Sequence, residues 1–154
     1  MPVAEDPFDP ASLLERLALA DVDFVLIGAV AGGAHGSSYG TPDIDIAFAD
    51  HPENLDRFAA ALTGLGTDPA AEVTAFACTT PFGRLKCFAA PIGAPSYSAL
   101  KSGALPIELR GRSVLVASLD HLIAMKEAGT RTRDELLATE YRTISDELRA
   151  PRES

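Results

Sequence analysis

The sequence predicts a single α/β (α+β) domain. Three observations carry this: helix-spaced apolar positions alternate with short strand-like runs, two pairs of those runs read as hairpins, and one run carries two aspartates on a single face. A length of 154 residues is enough for one self-sufficient core. With 47% hydrophobic and 23% charged residues, the composition is that of a globular chain and not a disordered one. Residues 1–154 are read as that one domain, with 1–10 and 150–154 as flexible ends. Apolar runs such as Asp23 to Val30 fall far short of the roughly 20 residues that span a bilayer, so no transmembrane helix is expected.

Taken in order, Pro10 to Ala20 spaces Leu13, Leu14, Leu17 and Leu19 close to the way a helix would, with Ser12 as its expected cap. Asp23 to Gly28 is an aliphatic and aromatic run ending in glycine, the pattern of a buried strand. Ala29 to Gly36 reads as a short helix of small residues, in which Gly32 and Gly33 each cost about 1 kcal/mol relative to alanine and call for a compensating contact. Asp43 to Phe48 alternates with period two, placing Ile44 and Ile46 on one face and both aspartates on the other.

Asn54 to Leu65, led in by Asp50 and Pro52, is an amphipathic helix that stops at Gly64 and Gly66. Glu72 to Ala77 and Gly83 to Ala89 read as a hairpin around Pro81. A short helix follows at Tyr97 to Lys101. Leu105 to Leu109 and Arg112 to Ala117 then flank a turn at Arg110-Gly111 as a second hairpin. Ser118 or Asp120 caps a helix containing Leu119, Leu122, Ile123 and Met125. A last helix spans about Thr132 to Leu148, with Leu136, Leu137, Tyr141, Ile144 and Leu148 on its apolar face.

Composition also restricts partners. A formal charge of -9 makes long nucleic acid a poor default ligand, since phosphate backbones are bound through clustered lysine and arginine. The cluster Lys126, Arg131 and Arg133 leaves room for a nucleotide or a short tRNA end. Glu5, Asp6 and Asp9 among prolines do not make a signal peptide, so the chain is expected in the cytoplasm. Cys78 and Cys87 lack a Cys-x-x-Cys spacing and a histidine pair. They are read as two buried free thiols and not as a disulfide or a zinc site.

The chemistry centres on Asp43 and Asp45. Two aspartates separated by one strand residue point the same way, about 7 Å apart along the backbone, and can share a divalent cation. Magnesium held there would bridge the phosphates of a nucleoside triphosphate. Gly28 at the end of the preceding strand permits close backbone approach, and the start of the following helix favours an anion. Ser37 and Ser38 add hydroxyls in the turn that follows.

The stretch from Phe24 to Ile46 resembles the signature of the DNA polymerase beta-like nucleotidyltransferase superfamily. The likeness is strongest to its small bacterial branch of minimal, toxin-antitoxin-type proteins. The pattern there is a strand, Gly-Gly or Gly-Ser, a short helix often ending in His-Gly, and Thr-x-Asp-hydrophobic-Asp. Gly28, His35, Gly36, Thr41, Asp43 and Asp45 match it. The likeness continues through Pro81 to Leu85, Gly93 to Leu100, Val114 to Leu119 and Lys126 to Asp134. The resemblance implies a mixed β-sheet flanked by helices, the nucleotidyltransferase fold. It also implies Mg2+-dependent transfer of a nucleotide from a nucleoside triphosphate such as ATP to a hydroxyl or phosphate on a tRNA end or small molecule. Asp43 and Asp45 would then be catalytic and metal-holding, and Gly28, Ser37, Ser38 and Lys126 would face the nucleotide.

Three departures stand against that expectation. Lys86 occupies the place where family members often carry a third aspartate, so an ammonium replaces a base or metal ligand unless Glu72 or Glu108 supplies the missing acid. Ala29 replaces a second Gly or Ser, and Tyr39 lies where an arginine is common. These departures define the alternative reading: a catalytically impaired member of the same fold that binds a partner protein or ligand in the old cleft. His35 is read as a helix-end hydrogen bond ahead of a catalytic group.

Overall fold

The computed structural model describes residues 8–67 and 75–150, which contain six helices and six strands. The helices are α1 (Pro10–Leu19), α2 (Gly28–Ala34), α3 (Pro52–Gly64), α4 (Tyr97–Gly103), α5 (Leu119–Glu127) and α6 (Thr132–Arg149). The strands are β1 (Phe24–Ile27), β2 (Asp43–Phe48), β3 (Ala75–Thr80), β4 (Gly83–Phe88), β5 (Leu105–Leu109) and β6 (Arg112–Val116). They form one mixed sheet in the order β3-β4-β2-β1-β6-β5. β1 and β2 pair antiparallel at its centre. β4 runs parallel to β2 and β6 parallel to β1, and each closes an antiparallel hairpin with an edge strand.

The period-two pattern of β2 decides the layers. Ile44, Ile46 and Phe48 are fully buried on one face, where Phe48 meets Phe58 of α3 edge-on with ring centroids 5.7 Å apart. Asp43 and Asp45 point to the opposite face, covered by α2, α5 and α6. Every residue of β1 is buried, as its uniformly apolar sequence requires of a strand covered on both sides.

Several local expectations are corrected. The N-cap of α1 is Asp9, not Ser12: Pro10 occupies the first helical turn, and Asp9 accepts hydrogen bonds from the Ser12 backbone (3.1 Å) and hydroxyl (2.6 Å). Asp9 also donates its backbone N–H to the Phe82 carbonyl at 2.7 Å, tying the start of α1 to the β3–β4 turn. α3 starts at Pro52 under a cap from His51. On α6, Leu137 and Tyr141 are buried, whereas Leu136 is 67% and Leu148 71% exposed. Asp134, Ala138 and Ser145 complete the buried stripe instead.

Helical periodicity alone could not tell which leucines share the face of Tyr141. The compensation sought for Gly32 is Tyr141 itself, whose ring carbon Cε1 lies 2.8 Å from where a Cβ would stand. Nothing in the structure explains Gly33. Cys87 is buried, Cys78 is half-buried, and neither forms a disulfide. Among the described residues, no helix is long and apolar enough to cross a membrane.

Asn54 fastens the sheet to α3. Fully buried, its side chain accepts from the Asp23 backbone N–H (2.6 Å) and donates to the carbonyls of Asp23 (3.0 Å) and Ala49 (2.8 Å). It thereby ties the entry to β1 to the exit from β2. Asn54→Ala would orphan those backbone groups, and we expect it to cost about 2–4 kcal/mol in urea unfolding. A loss below about 0.5 kcal/mol would mean that the clamp is dispensable.

Candidate active site

The acidic face of β2 opens into a cavity of about 510 Å³. Three walls meet there. β2 and β4 supply Asp43, Asp45 and Lys86; α5, the turn after it and the first turn of α6 supply Lys126, Arg131 and Arg133; Phe88, Ile92 and Met125 form an apolar side. Four of the chain's 13 lysines and arginines line the cavity, against the three carboxylates Asp43, Asp45 and Asp134. In a chain of net charge -9, this cleft is locally cationic.

Gly28 sets the position of Asp45. The chain leaves β1 with φ +72° at Gly28, a conformation that side chains disfavour, and a Cβ there would stand 2.9 Å from the Asp45 Cβ. The glycine therefore does two jobs, reversing the chain into α2 and leaving room for the Asp45 carboxyl. Asp45 Oδ1 is buried without a hydrogen-bond partner among the described residues. Burial raises the Asp45 pKa above the ordinary carboxylate value; Lys86 opposes the rise, Asp43 adds to it, and Lys126 and Arg133 oppose it, leaving a net increase.

Lys86 enters the same cleft by register. Parallel pairing of β2 and β4 sets Lys86 beside Asp45, and its ammonium reaches Asp43 Oδ2 at 3.1 Å. The residue in the expected third-carboxylate place is thus a cation bonded to one of the two aspartates. Neither alternative acid replaces it: Glu108 lies on β5 at the sheet edge, three strands from β2, and Glu72 falls outside the described residues.

Asp134 organises the basic wall. It is 4% exposed, accepts from the Arg131 backbone N–H (3.2 Å) and Nε (3.3 Å), and lies 3.5 Å from Lys126 Nζ. Gly129 packs against its side chain, where a Cβ would meet the Asp134 Cβ at 2.8 Å. Burial raises the Asp134 pKa, but the hydrogen bonds from Arg131 and the charges of Lys126 and Arg131 outweigh it, and the carboxyl stays below its ordinary value.

Of the residues singled out by sequence, Gly28, Asp43, Asp45, Lys86 and Lys126 come together at this cavity. Ser37 and Ser38 do not line it. The Ser37 hydroxyl donates to Glu140 Oε1 at 2.8 Å and the Ser38 backbone N–H to the same oxygen at 3.3 Å, pinning their turn to α6. His35 Nε2 bonds the Ala117 carbonyl at 2.8 Å, tying the end of α2 to the exit of β6. The apolar wall escaped sequence reasoning. Ile92, 80% exposed at the rim, sits in a loop without periodicity that could mark it.

No family model matches the chain, and no curated protein matches it by sequence. Solved structures do match. The antibiotic-resistance factor ANT(2'')-Ia in solution superposes with TM-score 0.54 at 16% identity, over 90% of this chain and 94% of that one. A candidate nucleotidyltransferase from Thermotoga maritima gives 0.52 at 14% identity, covering 90% and 86%. An antigenic nucleotidyltransferase-like protein from Paracoccidioides brasiliensis gives 0.53 at 15%, covering 92% and 75%. The chain has the nucleotidyltransferase fold.

Asp45 and Asp134 have opposite pH linkage. Asp45, with its folded pKa raised, costs stability as pH rises from the unfolded value of about 3.9 through the folded one, whereas Asp134, with its pKa lowered, contributes stability above about 3.9 that is lost as pH falls through its folded value. We therefore expect Asp45→Asn to raise the melting temperature at pH 7. Asp134→Asn should lower stability there by about 1–2 kcal/mol. Shifts of the same sign in the two variants would refute this account of the cleft.

Proposed function

We propose that this cleft binds a nucleoside triphosphate, with ATP the first to test, and transfers its nucleotidyl group to an acceptor hydroxyl or phosphate. The observation that carries the reading is the placement of Asp43 and Asp45 side by side on a central strand, facing Lys126 and Arg133 across one cavity. In the transfer, an acceptor oxygen bonds to the α-phosphorus, the bond to the β-phosphate oxygen breaks, pyrophosphate leaves, and the acceptor's proton passes to solvent.

Two carboxylates suit Mg2+, which is commonly held by one or two carboxylates with substrate phosphates and water completing its shell. The unpartnered Oδ1 of Asp45 fits that role. Among the described residues, no group of three or more carboxylate, imidazole or thiol ligands is present. Asp43 and Asp45 would hold Mg2+, which when bound would neutralise phosphate charge.

The chain's own residues supply the rest. Lys126, Arg131 and Arg133 hold the phosphates. Phe88, Ile92 and Met125 offer an apolar surface to a base or acceptor. Ser37 and Ser38 reach phosphate only if their turn leaves Glu140. The acceptor is a small molecule or a tRNA end, and for the latter the chain's overall negative charge confines phosphate contacts to the cleft itself.

The Lys86–Asp43 contact favours a second reading, in which the cleft binds nucleotide or a partner protein without transfer. Calorimetric titration with Mg-ATP separates the two, combined with an assay of pyrophosphate release. We expect wild type to bind and Asp43→Asn/Asp45→Asn to lose at least tenfold in affinity. Equal affinity in the double variant would remove the nucleotide site. Binding without pyrophosphate release in wild type, with release appearing in Lys86→Asp, would select the second reading.

A further inference from the structure

The nucleotide reading leaves one charge unexplained. A divalent cation is asked to neutralise phosphate beside Asp43 and Asp45, yet an ammonium already lies 3.1 Å from Asp43 Oδ2. Lys86 is held there by the parallel register that sets it beside Asp45, so it is fixed to the strand that carries the acids' neighbour and does not reach in from a mobile loop. Its side chain remains 32% exposed on the cavity side and so has donors left for a ligand. Across the cavity stand Lys126, Arg131 and Arg133.

With Lys86 present, cations outnumber carboxylates in the lining by one; with an aspartate in its place, carboxylates would outnumber cations by one. By formal charge the first arrangement favours a polyphosphate and the second disfavours it in the absence of metal.

We propose that Lys86 is a resident cation, standing in for part of the divalent metal's charge, so that the cleft binds a polyphosphate chain in the absence of divalent metal. The proposal deepens the nucleotide reading and rests on it. It differs in what it requires: a metal-free anion site that depends on residue 86.

The probe is inorganic tripolyphosphate titrated calorimetrically into the full chain in excess EDTA. Wild type binds, Lys86→Ala loses roughly tenfold or more, and Lys86→Arg, which keeps the charge, retains binding. Equal affinity in wild type and Lys86→Ala would overturn the proposal by assigning the anion to Lys126 and its neighbours alone. Failure of wild type to bind would also overturn it. A parallel titration with Mg-ATP distinguishes the levels: wild type that binds Mg-ATP but not metal-free tripolyphosphate refutes the resident cation alone, and wild type that binds neither refutes the nucleotide site as well.

Discussion

A carboxylate oxygen held out of water without a hydrogen bond is the constraint on which the cleft depends. Burying such a group costs several kcal/mol unless charge or ligand compensates. Asp45 Oδ1 is in that position, and the surrounding structure keeps it there. Gly28 removes the side chain that would exclude the carboxyl, and its positive φ turns the chain so that α2 begins over the carboxyl. One turn later, Gly32 admits the Tyr141 ring from α6, which fixes α2 against the helix pair that carries the basic wall. Gly28 and Gly32, four residues apart on α2, are therefore packing requirements on one helix face.

Compensation comes by charge and not by hydrogen bond. Lys86, Lys126 and Arg133 act on Asp45 from three different elements, β4, α5 and α6, and together they do not bring its pKa back to the ordinary value. Asp134, a few residues away in the same lining, shows the opposite solution. It is more buried, yet backbone and guanidinium donors surround it and it remains readily ionised. One carboxyl is satisfied and shapes the wall; the other is unsatisfied and faces the ligand space. Tyr141, a neighbour of Asp45, likewise leaves its buried hydroxyl without a hydrogen bond, and an unsatisfied carboxyl with a raised pKa in a cleft is a common mark of a functional site.

Much of this was legible in the sequence, and what was not has identifiable causes. The alternation Asp43-Ile44-Asp45-Ile46 fixes which residues share a face, because side chains on a strand can only alternate. The Arg110-Gly111 hairpin was equally readable, and the structure gives both residues positive φ, as a two-residue turn of that kind requires. Cap identity was not, because Asp9 and Ser12 are both cap formers and only the position of Pro10 decides between them. The stripe on α6 was misread at Leu136 and Leu148 because amphipathic spacing leaves its width open. The engagement of Ser37 and Ser38 by Glu140 joins residues more than a hundred positions apart, a pairing that local patterns do not contain.

Lys86 lies between these cases. Strand alternation on β4 predicts that it faces away from Leu85 and Cys87, both buried, but alternation cannot say which strand lies alongside. That information resides in the β2–β4 pairing, a parallel contact that the chain reaches only after crossing α3 and the β3 hairpin. Once that register exists, position 86 is obliged to face the aspartates whatever residue occupies it. Its identity changes the charge of the lining by two units without touching the core, since neither a lysine nor an aspartate there would be buried among apolar side chains. The fold therefore holds geometry constant while one register position sets the formal charge balance of the lining, and this separates the stability of the domain from the charge of its cleft.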